Sequence, residues 1–114
     1  MIREYLDFFN DILKETINIQ NFIKGVEFDA FAINDEKIYA VCRSFEIIGE
    51  ASKKIPPDIQ EQFPDIDWKE MAKMRDKLIH YYYSADEQII WETAIKDIPI
   101  LEKKIQSLIN QYTK

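Results

Sequence analysis

An arginine, a lone histidine and three consecutive tyrosines fall in one short run, Met74-Arg75-Asp76-Lys77-Leu78-Ile79-His80-Tyr81-Tyr82-Tyr83. Imidazole is the one side chain whose ordinary pKa lies near physiological pH, so it can give or take a proton during a reaction. Guanidinium carries a permanent charge and a fork of donors suited to phosphate oxygens. The pair could therefore do acid–base chemistry on a phosphodiester. RNA would supply its own nucleophile, the 2′-hydroxyl, and such a reaction needs no metal. It does need both an acid and a base, and the one histidine of this chain supplies one group. A symmetric dimer would supply two. The plainer alternative is a structural or capping histidine, followed by tyrosines whose rings pack against a core.

Other chemistries lack their residues. One cysteine and one histidine argue against a metal site built from those ligands. There is no glycine-rich phosphate loop, no serine or cysteine nucleophile with a recognisable base nearby, and no cofactor is implied. Cys42 has apolar neighbours and reads as a small core residue in a reducing compartment. The net charge of -6 opposes indiscriminate capture by nucleic acid or an anionic membrane. A local exception is the cluster Lys69, Lys73, Arg75 and Lys77, in which Lys73 and Lys77 are candidate RNA contacts. No apolar run approaches the roughly 20 residues that span a bilayer. The N-terminus has Arg3, Glu4 and Asp7 where a signal peptide would be apolar. A cytoplasmic protein without membrane contact is the expectation.

The elements that must position these residues are helices. With 114 residues, two glycines and four prolines, the chain has material for one domain, residues 1–114, and little for hairpins. Ile2, Leu6, Phe9, Leu13 and Ile17 recur at helical spacing from Ile2 to about Lys24, with Tyr5, Phe8 and Ile12 widening the stripe and Asp7, Asp11, Lys14 and Glu15 mostly on the other side. Gly25 suits a C′ position, and the apolar segment from Val26 to Ile33 reads as a loop packing onto the core. Asn34 caps a second helix whose buried stripe is Ile38, Val41, Cys42, Phe45 and Ile48. Gly49 within it implies close approach by another helix or a partner chain, and Pro56-Pro57 ends it. Asp58 to Phe63 can form one short turn. Asp67-Trp68-Lys69-Glu70 has the form of a capping box, so a third helix starts at Trp68 and carries the reactive run. Ser84-Ala85-Asp86-Glu87 repeats that pattern and opens a fourth helix with Ile89, Ile90, Ala94 and Ile95 as apolar positions. Pro99 kinks or divides it before Leu101, Ile105, Leu108 and Ile109. The expected fold is all-α, a small up-down bundle of four to five helices with a kinked or split C-terminal helix.

On the third helix Arg75 and His80 would stand about 140° apart around the axis and about 7.5 Å along it. They do not share a face, although arginine's reach allows both to enter a cleft at the helix end. Tyr82, seven residues after Arg75, returns to the arginine's side, and His80 turns toward a neighbour such as another subunit.

The ordered set Arg75-x4-His80-x-Tyr82 resembles the signature of HepT-like toxins, a branch of the HEPN superfamily of helical ribonuclease domains. Phe45-Glu46-Ile47-Ile48-Gly49-Glu50-Ala51 resembles that family's Ile-Gly-Glu-Ala segment. Trp68, Trp91 and the break at Asp97-Ile98-Pro99 also fall where the family has similar residues. The resemblance covers roughly Asp35 to the C-terminus. It implies a HEPN-like bundle acting as a metal-independent endoribonuclease toxin, a homodimer with Arg75 and His80 of each chain lining a shared cleft. It also implies a partner, a minimal nucleotidyltransferase antitoxin of the MntA type. That enzyme would use ATP and magnesium to transfer AMP to the motif tyrosine, which spacing makes Tyr82. The family commonly has asparagine after the arginine. Here Asp76 stands there, able to pair with Arg75 or His80 as catalytic support. The alternative function is a non-catalytic helical dimer serving as accessory or substrate-binding subunit of such a nucleotidyltransferase. Glu50 reads as a solvated or salt-bridged residue that could also approach the cleft, and Trp68 and Trp91 as core or interface anchors.

Overall fold

Three of the long helices begin where the sequence offers their first amide groups an acceptor. In the computed structural model, which describes residues 4–81 and 86–114 and only the backbone of 77–81, every regular element is helical. The elements are α1 (Tyr5–Ile23), α2 (Phe28–Ala32), α3 (Asp35–Lys53), α4 (Pro57–Glu61), α5 (Trp68–Tyr81), α6 (Glu87–Glu92), a π-helical turn (Thr93–Asp97) and α7 (Ile98–Tyr112). At the start of α1, Glu4 and Asp7 cap each other, with the Glu4 amide donating to Asp7 Oδ2 at 3.1 Å. Asn34 Oδ1 accepts from the Lys37 amide at 3.1 Å, and Asp67 Oδ1 from the Glu70 amide at 3.0 Å. Gly25 has φ +73, the left-handed conformation that a C′ glycine adopts at little cost.

Four long helical units form the bundle: α1, α3, α5 and the run from α6 through the π turn to α7. Helix α3 packs against α1 on one side and α5 on the other, and α7 closes against α1. The buried stripe of α3 is the expected Ile38, Val41, Cys42, Phe45 and Ile48. At the far end of α3 the Gln60 amide donates to the carbonyls of Ser52 (3.2 Å) and Ile55 (3.0 Å). The short α4 thus secures the C-terminal turn of α3.

Several expectations need correction. The segment from Val26 to Ile33 is not a loop throughout, because α2 forms within it and seals Phe31 completely between α3 and Trp91. On α1 the buried positions are Phe9, Ile12, Thr16, Ile19 and Ile23, while Ile17 is 41% exposed. Glu15, assigned to the outer side, is only 9% exposed and accepts a 2.8 Å hydrogen bond from Ser44 Oγ on α3. The N-cap of α6 is Asp86, whose Oδ1 accepts from the Ile89 amide at 3.4 Å. Ser84 lies outside the described residues. Of the four apolar positions assigned to the fourth helix, Ile90 and Ala94 are buried and Ile89 and Ile95 are exposed.

Pro99 does interrupt the last helix, through a change of winding. Proline offers no amide hydrogen and its ring crowds the carbonyl four residues earlier. Here the preceding turn widens, and the Ile98 amide bonds to the Thr93 carbonyl, five residues back. The chain then re-enters α-helix with Pro99 in the first turn of α7.

Candidate active site

Helix α5 runs without a break from Trp68 to Tyr81, so Arg75 and His80 belong to one helix. Its start is anchored by Trp68, a buried ring that donates through Nε1 to the Phe63 carbonyl at 3.1 Å and lies beside Phe9 of α1. One turn further, Met71 is buried. Its carbonyl oxygen would lie 3.2 Å from a Cβ built on Gly49, and the Arg75 side chain would overlap that atom outright. Gly49 is therefore what lets α3 and α5 meet at the arginine. The approach expected from its place in the helix is made by a helix of the same chain.

The guanidinium of Arg75 emerges from this contact among charges of alternating sign. Glu50 Oε1 is 4.0 Å from Nε, and Asp76 Oδ1 is 3.6 Å from one terminal nitrogen. Asp76 also pairs with Lys53 of α3 at 3.2 Å, while Arg43 lies 3.1 Å from Glu46 and 3.9 Å from Glu50. The Arg75 side chain is 30% exposed, and its Nε is buried without a hydrogen-bond partner among the described residues. An unpaired buried donor costs roughly 1–3 kcal/mol, so the geometry calls for an acceptor. The exposed pairs such as Lys53–Asp76 are worth only about 0–1 kcal/mol each. Their effect is on direction more than on stability.

Of the expected site residues, Arg75 and Asp76 are brought together, and Glu50 and Lys53 of α3 join them. For Asp76, which could have turned to Arg75 or His80, the contacts seen are to Arg75 and Lys53. Lys73 is exposed. It stands about 160° from Arg75 around the helix, so it does not join the group. His80 occupies the last turn of α5, and its side chain, like that of Lys77, is outside the description. Tyr82 lies outside the described residues altogether.

Two features were not foreseen. One is that the salt bridge expected of Glu50 reaches Arg75. The other is a groove of about 390 Å³ between α5 and the π turn and α7, floored by Phe45 and Ile48 and walled by Met71, Met74, Ile98 and Leu101. Neither follows from local sequence, because both arise where helices distant in the chain meet.

Comparison with known proteins places this arrangement in a family. The model of the ribonuclease HepT-like family matches residues 12–108, so the span includes α3, α5 and the π turn. The chain is 47% identical over 107 residues to "Putative RNase MJ1216" of Methanocaldococcus jannaschii, covering 94% of this chain and 88% of that one. It is 43% identical over 108 residues to "Probable ribonuclease HepT" of Thermococcus cleftensis, covering 95% and 98%. It is 41% identical over 109 residues to "Putative RNase TTE0752" of Caldanaerobacter subterraneus subsp. tengcongensis, covering 96% and 95%. No solved structure matches it significantly. The chain belongs to the HepT-like ribonuclease family.

Proposed function

We propose that this chain, a ribonuclease by family, is the toxin of a toxin–antitoxin pair that cleaves RNA with Arg75 and His80 across the cleft of a symmetric dimer. The observation that carries the reading is that both residues lie on one unbroken helix inside the family-matched span, with Arg75 presented beside α3. In the reaction the 2′-oxygen attacks phosphorus and the bond to the 5′-oxygen breaks. One imidazole takes the 2′-hydroxyl proton and the imidazolium of the second chain gives a proton to the departing 5′-oxygen. The products are a 2′,3′-cyclic phosphate and a 5′-hydroxyl. Arg75 holds the negative charge that builds on the non-bridging phosphate oxygens. Asp76 supports the arginine, Lys77 draws the RNA backbone toward α5, and Lys73, on the far side of that helix from Arg75, adds only to its positive field.

Control falls to Tyr82 and a cognate nucleotidyltransferase of the MntA type working in the cytoplasm. The phenol oxygen attacks the α-phosphorus of ATP, held by that enzyme with magnesium, and pyrophosphate leaves. The resulting AMP ester adds charge and bulk at the end of α5 and repels RNA. Co-expression with the nucleotidyltransferase should raise the intact mass by whole AMP units, and Tyr82→Phe should abolish the shift.

The test of the catalytic reading is cleavage by the protein purified alone. Arg75→Ala and His80→Ala should each lower the rate by roughly 10²-fold or more while the fold is kept. Full activity of His80→Ala would sink the acid–base role. The net charge of -6 favours a second reading, a non-catalytic accessory subunit that binds the nucleotidyltransferase through Arg75 and His80. That reading predicts no cleavage by the wild-type chain alone.

A further inference from the structure

The geometry points to Glu50 as the positioning residue that fixes the direction of the Arg75 guanidinium, a role that rests on the catalytic reading of Arg75 given above. Arg75 Nε is enclosed and makes no hydrogen bond among the described residues, and Glu50 Oε1 stands 4.0 Å from it on the facing helix. Gly49, the residue before Glu50, brings the two helices together at this level. Glu50 Oε1 also lies 3.9 Å from Arg43, but Arg43 has a shorter contact to Glu46 at 3.1 Å, so Glu50 can still serve Arg75. Asp76 takes a second edge of the guanidinium at 3.6 Å.

An arginine has five N–H donors in a fixed plane. With carboxylates beside Nε and one terminal nitrogen, the plane of the guanidinium is fixed, and terminal N–H groups remain to meet a phosphate. A closure of roughly 1 Å turns the Glu50 contact into a charge-assisted hydrogen bond of about 2.8 Å. Glu50 is 48% exposed, so both its approach and its replacement are compatible with the fold.

The experiment follows the Arg75 Nε–H signal in the ¹⁵N-labelled full-length protein, identified by its loss in Arg75→Lys, together with kcat and KM for cleavage of a short RNA. In Glu50→Ala the Nε–H should exchange with solvent as fast as in an unpaired arginine. The value of kcat should fall about 10- to 100-fold, with KM changed by less than about twofold. Glu50→Gln, which keeps an acceptor oxygen, should restore slow exchange and part of kcat. Unchanged exchange in Glu50→Ala overturns the proposal, and so does altered exchange with unchanged kcat. Full activity of Arg75→Ala would instead show that the catalytic reading beneath it had failed.

Discussion

At Gly49 the missing side chain is the constraint. A methyl group there would overlap the stem of Arg75 and press on the Met71 carbonyl, neither of which is the free end of a flexible chain. Gly49→Ala should therefore destabilise the protein by about 1–3 kcal/mol from overpacking, despite a gain of about 1 kcal/mol in helix propensity. A lower urea midpoint and weaker RNA cleavage should appear together, because α5 must move. Cys42 is wholly buried on the same helix, and burial, reinforced by Glu46, pushes its thiol from 9.0 up to about 12. The folded state thus keeps the proton longer than the unfolded chain. Its stabilising effect is complete below pH 9 and is lost as the pH rises from 9 toward 12. Urea midpoints measured across that range should fall more steeply for the wild type than for Cys42→Ala, since other groups titrate in both. The spacing of Arg75 and His80 was readable directly from the chain. The Glu50–Arg75 contact was not, since residues 25 positions apart meet only through helix docking. Glu15 was misplaced for a related reason. A carboxylate counts as an outward residue until the Ser44 hydroxyl that satisfies it is known.

Helix α3 was legible where a cap and a long apolar stripe coincide, and α5 from its capping box. Asn34→Ala, which removes the acceptor for the Lys37 amide, should cost about 0.5–2 kcal/mol by urea unfolding and leave intact the α3–α5 contact at Gly49, fifteen residues further along the helix. The five-residue α2 escaped because a run so short shows no periodicity, and its formation depends on Phe31 reaching a pocket beside Trp91. The start of α6 was misread between Ser84 and Asp86, two acceptors with equal claims from local sequence. Pro99 announced an interruption, but its form depends on keeping both Ala94 and Ile98 buried across the break. The π turn supplies the extra residue that this phase requires.

At the scale of the molecule, the proposed mechanism, with one histidine per chain, would make assembly part of the chemistry. Light scattering should give about 27 kDa, twice the 13.6 kDa of the chain, and cleavage should fall on dilution through the dissociation range of the dimer. Among the described residues no helix is long and apolar enough to cross a membrane. The all-α class and the overall architecture could be anticipated from composition and caps, whereas the groove beside α5 could not, being a property of how the rods are spaced. That spacing has a thermodynamic consequence. Helix α5 rests chiefly on α3, with the groove separating much of it from α7. It is therefore the unit that should detach first in the native ensemble. Amide hydrogens of α5 should exchange through a partial opening of lower free energy than global unfolding, while those of α1 and α3 wait for the whole domain to open. RNA or a second subunit bound against α5 would slow that opening selectively, so protection of this one helix would register occupancy of the site.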